Sequence, residues 1–383
     1  MRIALFTNNY LPRMSGVATS VENLRQALLA LGHAVYVIAP KYRGAKTNGP
    51  GIIRVPSLRW SKKYFFPIAL PLTPKLTNKI ARLKLDIIHS HHPAWLGQSA
   101  QNLNKQLKLP FVFTYHAQYE KYPEEFFGVT LKPIEEWAKF NLKEYMGNCN
   151  AVIAPSQTIA KKLRRQTGTR VIKIPSGINL DQFDIPASQK NALKENLGLG
   201  RFTKIILSVA RLSFEKELDF MLTALAPLLK NNPGCGLVLV GDGLARGALH
   251  EIARELGIAP QVIFAGTINY KYLPRWYRAA DVFVYSSRFE TQGLTLIEAM
   301  ASGLPVVTRH SDVAAECLGN PAAGVITPAS SRRAFRFAVA QLLNDKIIAE
   351  ELGQQAKRRS RYFSSLETGK MHEELYQKLI SSF

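Results

Sequence analysis

At 383 residues the chain exceeds the roughly 250–300 residues at which one core stops growing, so two domains are expected. A hydrophobic share of 46% and an aromatic share of 10% exclude a disordered chain, and three scattered cysteines, Cys149, Cys235 and Cys317, exclude a disulfide framework. The net charge of +22 is uneven: residues 1–176 hold 26 basic and 8 acidic side chains, a net of +18, against 24 and 20, a net of +4, in residues 177–383. A basic half calls for an acidic partner, whether nucleic acid, anionic membrane or phosphorylated substrate. The opening MRIALFTNNYLPRM has no small-residue cleavage site and does not read as a signal peptide. No apolar run nears the roughly 18 residues that span a bilayer, and the cysteine usage suits a reducing cytoplasm.

Strands and helices alternate. RIALFTN (Arg2–Asn8) reads as a buried parallel strand. The stretch Ser20–His33 has helical spacing, with Ser20 as the expected N-cap and Gly32 as the stop, and Ala34–Pro40 closes a first βαβ unit. Leu85–His92, Pro110–Ala117, Ala151–Ser156 and Val171–Gly177 continue the strands. Residues 179–202 read as a linker with a short helix. A second series follows at Lys204–Arg211, Cys235–Gly243, Gln261–Gly266, Asp281–Ser287 and Leu304–Arg309, with helices between them. The expectation is α/β: two doubly wound, Rossmann-like domains, 1–178 and 203–360, facing across a cleft, with a helical tail, 361–383, packing back on the first domain.

Candidate site residues lie where strands end. Ser15-Gly16, ahead of the first helix, lets backbone approach an anion. Arg211 and Lys216 fall at the carboxyl end of the second series' first strand, where a diphosphate would sit; the plainer alternative pairs Arg211 with Glu215 or Glu217 on the surface. In ETQGLTLIE, Glu290 and Glu298 bracket a glycine turn and a helix start. There the amides of Gly293, Leu294 and Thr295 would point at an anion. Glu298, a turn into the helix, could accept hydrogen bonds from a vicinal diol. His89, His91, His92 and His116 end two neighbouring strands, yet no cysteine or carboxylate cluster joins them, so a metal site is not expected. In SLRWSKKYFFPIALPL, Arg59, Lys62 and Lys63 interleave with Trp60, Phe65 and Phe66, as suits an anionic membrane surface, and Lys161–Arg170 adds a basic patch.

The ordered set VARLSFEK, GDG and FETQGLTLIEAMASGLPVV, with YLPRMSGVATSV near the start, resembles the retaining family 4 glycosyltransferases of GT-B fold. Within them it is most similar to bacterial diacylglycerol glucosyltransferases and, more loosely, phosphatidylinositol mannosyltransferases. The resemblance covers nearly the whole chain. It implies that Arg211 and Lys216 neutralise the donor diphosphate and that Glu298 holds the ribose. Gly293, Leu294 and Thr295, with Gln292, would meet phosphate and sugar. Glu290 and His116 would lie at the transferred sugar, and Gly16 would approach the phosphate. It implies transfer of a hexose, glucose from UDP-glucose, to a lipid acceptor such as diacylglycerol, by an enzyme peripheral on the inner face of the cell membrane and needing neither metal nor other cofactor. The alternatives are a soluble acceptor, or mannosyl transfer from GDP-mannose to a phospholipid. Nucleic acid is not an expected partner, for want of an aromatic platform or recognition helix. The chain departs from the family pattern at Gln292, at Asn179 in PSGIN, and in RHSDVAAE, which ends at Glu316.

Overall fold

In β1 (Arg2–Phe6) every residue from Ile3 to Phe6 is fully buried. Successive strand side chains leave by opposite faces, so such a strand needs cover on both. Ala4 and Phe6 join one core cluster, Ile3 and Leu5 another. The computed structural model describes residues 1–12, 15–42, 49–59, 67–119 and 132–383, Arg59 by its backbone alone. They form two compact units, one of Met1–Ile178 with Ser365–Phe383, the other of Asn179–Ser364.

The first unit continues with α1 (Gly16–Ala30), β2 (Ala34–Pro40) and β3 (Ile52–Val55). An antiparallel ribbon follows, β4 (Ser57–Arg59) with β5 (Pro67–Ala69). Then come α2 (Pro74–Ala81), β6 (Ile87–Ser90), α3 (Leu96–Leu107), β7 (Phe111–Thr114), α4 (Lys132–Gly147), β8 (Ala151–Ala154), α5 (Gln157–Arg164) and β9 (Val171–Lys173). Its sheet has the order β3-β2-β1-β6-β7-β8-β9, and each neighbouring pair is parallel. Helix α1 starts earlier than its periodicity suggests. Ser15, not Ser20, is the N-cap: its Oγ accepts from the Ala18 amide, and Ser20 faces inward, buried. Gly16 thereby becomes the first helical residue.

The second unit holds α6 (Lys190–Asn196), β10 (Lys204–Val209), α7 (Leu218–Lys230), β11 (Cys235–Val240), α8 (Arg246–Glu255), β12 (Val262–Gly266) and α9 (Leu273–Ala279). After these come β13 (Val282–Tyr285), α10 (Leu294–Ala301), β14 (Val306–Arg309), α11 (Asp312–Leu318), β15 (Val325–Thr327), α12 (Arg332–Asn344) and α13 (Lys346–Ser360). The sheet order is β12-β11-β10-β13-β14-β15, again parallel throughout. Residues 179–202 carry more structure than a linker needs. Phe183 is buried edge-on to Tyr277 at 5.8 Å, and Lys190 of α6 meets Asp281 at 2.7 Å.

The last helix, α14 (Ser365–Ser381), belongs to the first unit. Leu375, Tyr376 and Leu379 enter the core cluster of Ile3 and Leu5, beside Leu24 and Leu28 of α1. A side chain at Gly369 would come within 2.7 Å of Ala27 Cβ, so glycine is what lets α14 lie against α1.

Candidate active site

In the second unit the strand order reverses between β10 and β13: β11 and β12 lie to one side, β14 and β15 to the other. Loops leaving the carboxyl ends of such a strand pair part, and ligands of open parallel sheets bind in that opening. The loop after β10 carries Arg211 and Lys216, and the loop after β13 carries Glu290 and Gln292.

These loops are tied together. Lys216 Nζ lies 2.6 Å from Glu290 Oε1, with both side chains largely buried, and the Ser286 hydroxyl donates to the Lys216 carbonyl at 2.8 Å. Arg211 is half exposed and pairs with Glu215 at 2.8 Å, the surface arrangement weighed as the alternative. Gly293 caps α10 in the left-handed region, φ 83°, and a Cβ there would lie 2.9 Å from the Tyr285 hydroxyl, so both conformation and space demand glycine. Leu296 makes the first bond back to the Gly293 carbonyl, so the amides of Gly293, Leu294 and Thr295 precede the helix's own hydrogen-bond ladder. Gln292 is buried, and its carbonyl accepts from Cys317 Sγ at 2.9 Å.

Glu298 is 3% exposed. Its Oε2 accepts from the Tyr277 hydroxyl at 2.7 Å, and that hydroxyl also faces the Thr295 carbonyl at 3.2 Å. Burial pushes the Glu298 carboxyl up to about 7, with hydrogen bonds from Tyr277 and Tyr270 working the other way. Burial and the neighbouring Glu298 push the Tyr277 phenol well above its ordinary range, so it remains a donor. Tyr277 was not among the residues the sequence pattern singled out. Seven-residue spacing to Tyr270 could have flagged an aromatic pair, but nothing in the sequence links it to a carboxylate 21 positions on.

His116 lies in the other unit. The reversal in that sheet falls between β1 and β6, and His91, His92 and His116 follow β6 and β7. The rings of His91 and His116 stack, with Nδ1 of one 2.9 Å from Nε2 of the other. His89 sits between the Tyr376 hydroxyl of α14 at 2.6 Å and the Thr114 hydroxyl at 2.7 Å, and its ring neighbours that of His372 at 5.9 Å. Gly16 is also in this unit, at the first turn of α1. Of the expected membrane residues, Trp60, Lys62, Lys63, Phe65 and Phe66 lie outside the described residues, and Arg59 ends β4. Among the described residues no group of three or more His, Cys, Asp or Glu is disposed to hold a metal ion.

Burial lowers the histidines' affinity for protons: His92 and His116 are pushed down to about 3 and His372 to about 4, with His89 and His91 also well below the usual value. Unfolded imidazoles titrate near 6.5. The stability these neutral groups hold is therefore complete above pH 6.5 and is lost as pH falls towards their folded values. Each contributes a slope of about 1.4 kcal/mol per pH unit in that window. Urea unfolding at pH 7.5, 6 and 5 is expected to show a midpoint falling ever more steeply, and a flat profile would contradict the burial of these rings.

Across its whole length the chain superposes on a sucrose-phosphate synthase from Thermosynechococcus elongatus, with TM-score 0.80 at 24% identity and both chains fully covered. That fold is GT-B. Residues 14–182 match the model described as Glycosyltransferase Family 4, and residues 189–359 the model described as Glycosyl transferases group 1. Two relatives are alpha-monoglucosyldiacylglycerol synthases. That of Acholeplasma laidlawii is 34% identical over 82% of this chain and 81% of its own, and that of Streptococcus pneumoniae 36% identical over 80% and 70%. The chain belongs to glycosyltransferase family 4 and is a retaining hexosyltransferase.

Proposed function

We propose that the enzyme moves glucose from UDP-glucose to diacylglycerol at an anionic membrane surface, giving an α-glucoside. The observation that carries this reading is the likeness, over four-fifths of the chain, to two enzymes named for that product. The geometry of the second unit supports a nucleotide-sugar donor. Lys216, Arg211 and the start of α10 supply positive potential for a departing diphosphate. Glu298 offers a buried acceptor for the ribose hydroxyls, and Glu290, released from Lys216 when phosphate takes the ammonium, meets the hexose. The departing phosphate oxygen takes the acceptor's proton, and no metal ion is needed, so transfer should persist in excess chelator.

Purified enzyme given radiolabelled nucleotide sugars and diacylglycerol in anionic vesicles tests the reading. Label should enter the lipid phase from UDP-glucose; transfer only from GDP-mannose, or only to a water-soluble acceptor, overturns it. Ribose hydroxyls bond best to the ionised carboxylate, so donor binding should expel the proton that Glu298 holds below about pH 7. Donor affinity is then expected to rise between pH 6 and 8. Calorimetry in buffers of differing ionisation enthalpy should record proton release at pH 6.5; uptake would contradict this.

The membrane reading rests on the basic first half and the aromatic-basic stretch at 57–72. Helix α4 adds Trp137 and Phe140, both about two-thirds exposed and one turn apart. No helix among the described residues is long and apolar enough to cross a membrane. Co-sedimentation with vesicles should depend on anionic lipid and weaken when Lys62 and Lys63 are neutralised.

A further inference from the structure

We propose that Glu217 is a positioning residue that holds Lys216 in place for the donor diphosphate, through a carboxylate clamp on Arg288 and Arg309; the inference rests on the donor reading of Lys216. Among the described residues four that are not glycine have positive φ, and Glu217, at φ 49° and ψ 42°, is the one in the second unit. Such a backbone is unfavourable for a side-chain-bearing residue and persists where the surroundings impose it. Here they do so through the carboxylate. Arg288 grips it with two bonds, Nε to Oε2 at 2.8 Å and Nη2 to Oε1 at 2.6 Å, and Arg309 Nη1 lies 3.1 Å from Oε2.

Arg309 is itself immobilised. Its side chain is 4% exposed, its guanidinium lies 3.7 Å from the centre of the Phe220 ring, and it donates to the carbonyls of Ala329 and Ser286. Burial pushes the Glu217 carboxyl up, but the Arg288 hydrogen bond and the charges of both arginines outweigh it, so the group stays ionised. The result is a cross-stitch between the two loops of the site. Lys216 reaches Glu290 while the next residue, Glu217, reaches Arg288. When a diphosphate draws the Lys216 ammonium from Glu290, the first stitch opens. The Glu217 clamp and the Ser286–Lys216 bond then keep the lysine's backbone where it was, so the loop does not have to be re-ordered at the expense of binding.

Three variants separate this role from a structural one. Glu217→Gly supplies the left-handed backbone and removes the whole clamp; Arg288→Ala removes its two-bonded arm and leaves Arg309; Lys216→Ala is the reference. We expect Glu217→Gly and Arg288→Ala each to raise the KM for the donor about tenfold, mostly sparing kcat. UDP should bind about tenfold more weakly while uridine, which lacks phosphate, binds as before. The thermal midpoint of Arg288→Ala, which leaves Glu217 paired with Arg309, should hold, and the double variant should lose no more than Glu217→Gly alone, as a shared contact requires. If Lys216→Ala weakens UDP while both clamp variants bind it normally, the clamp has no positioning role. If uridine and UDP weaken together in the clamp variants, the clamp is merely structural. If Lys216→Ala itself binds UDP normally, the donor reading of Lys216 fails, and this inference with it.

Discussion

Replacing Lys216 with alanine is expected to lower kcat/KM for the nucleotide sugar by 10²- to 10³-fold, about 3–4 kcal/mol of transition-state stabilisation. Charge on the leaving diphosphate grows as the glycosidic bond breaks, so a cation fixed beside it acts more strongly in the transition state than on the bound donor. Much of the loss should therefore appear in kcat. The substitution also strands Glu290, which sits 2.6 Å from the ammonium and is largely buried, next to the incoming phosphates. A carboxylate left unpaired there repels the diphosphate, so Lys216→Ala should bind UDP, which lacks the hexose that Glu290 meets, more weakly than Lys216→Ala combined with Glu290→Gln. UDP titrations of the two variants check this; equal losses would show that the Lys216–Glu290 pair is incidental to donor binding.

Glu298→Leu should weaken donor binding about 100-fold, or roughly 2.7 kcal/mol, while leaving the fold as stable as before or more so. Two hydrogen bonds from ribose to a charged acceptor account for a loss of that size. The stability forecast follows from the environment. Glu298 is 3% exposed, its carboxyl is pushed up to about 7, and its ionisation is therefore held against a desolvation cost. Linkage gives the sign: with its folded value above the unfolded 4.3 or so, the group supports the fold at low pH and loses that support as pH rises through 7. An apolar side chain of similar size removes the burden, and the Tyr277 hydroxyl keeps the Thr295 carbonyl as acceptor. Thermal melts at pH 8 and UDP titrations check the two halves separately. A destabilised variant that still binds UDP well would make Glu298 a structural residue.

The fold was largely legible because parallel strands buried on both faces leave unbroken apolar runs, as in Ile3–Phe6 and Val282–Tyr285, and because the Gly32 and Gly293 positions punctuate helices. The peripheral elements β3, β15 and the β4–β5 ribbon escaped: β3, β5 and β15 are only partly buried, so they lack the unbroken apolar run that marks the similarly short β6, β7 and β8. The start of α1 was misplaced because two serines compete as caps in one stretch, and only the turn geometry selects Ser15. At the site, the charged residues were visible by type and spacing, and Lys216 with Glu290 is a contact across 74 residues that the strand reversal creates. What holds those residues was not visible. Tyr277, Arg288 and Arg309 act through three-dimensional neighbours on other elements, and Glu217 through a backbone conformation that its residue type disfavours.

In the proposed mechanism the two glutamates flanking the α10 start read opposite ends of one donor. Relative kcat/KM for UDP-glucose, its 2′-deoxyuridine counterpart and UDP-galactose, measured in the wild type, Glu290→Gln and Glu298→Gln, tests it directly. A crossed pattern is expected: Glu298→Gln loses discrimination against the deoxyribose but still rejects the wrong hexose, and Glu290→Gln does the reverse. Both variants losing the same discrimination, or neither losing any, would contradict it.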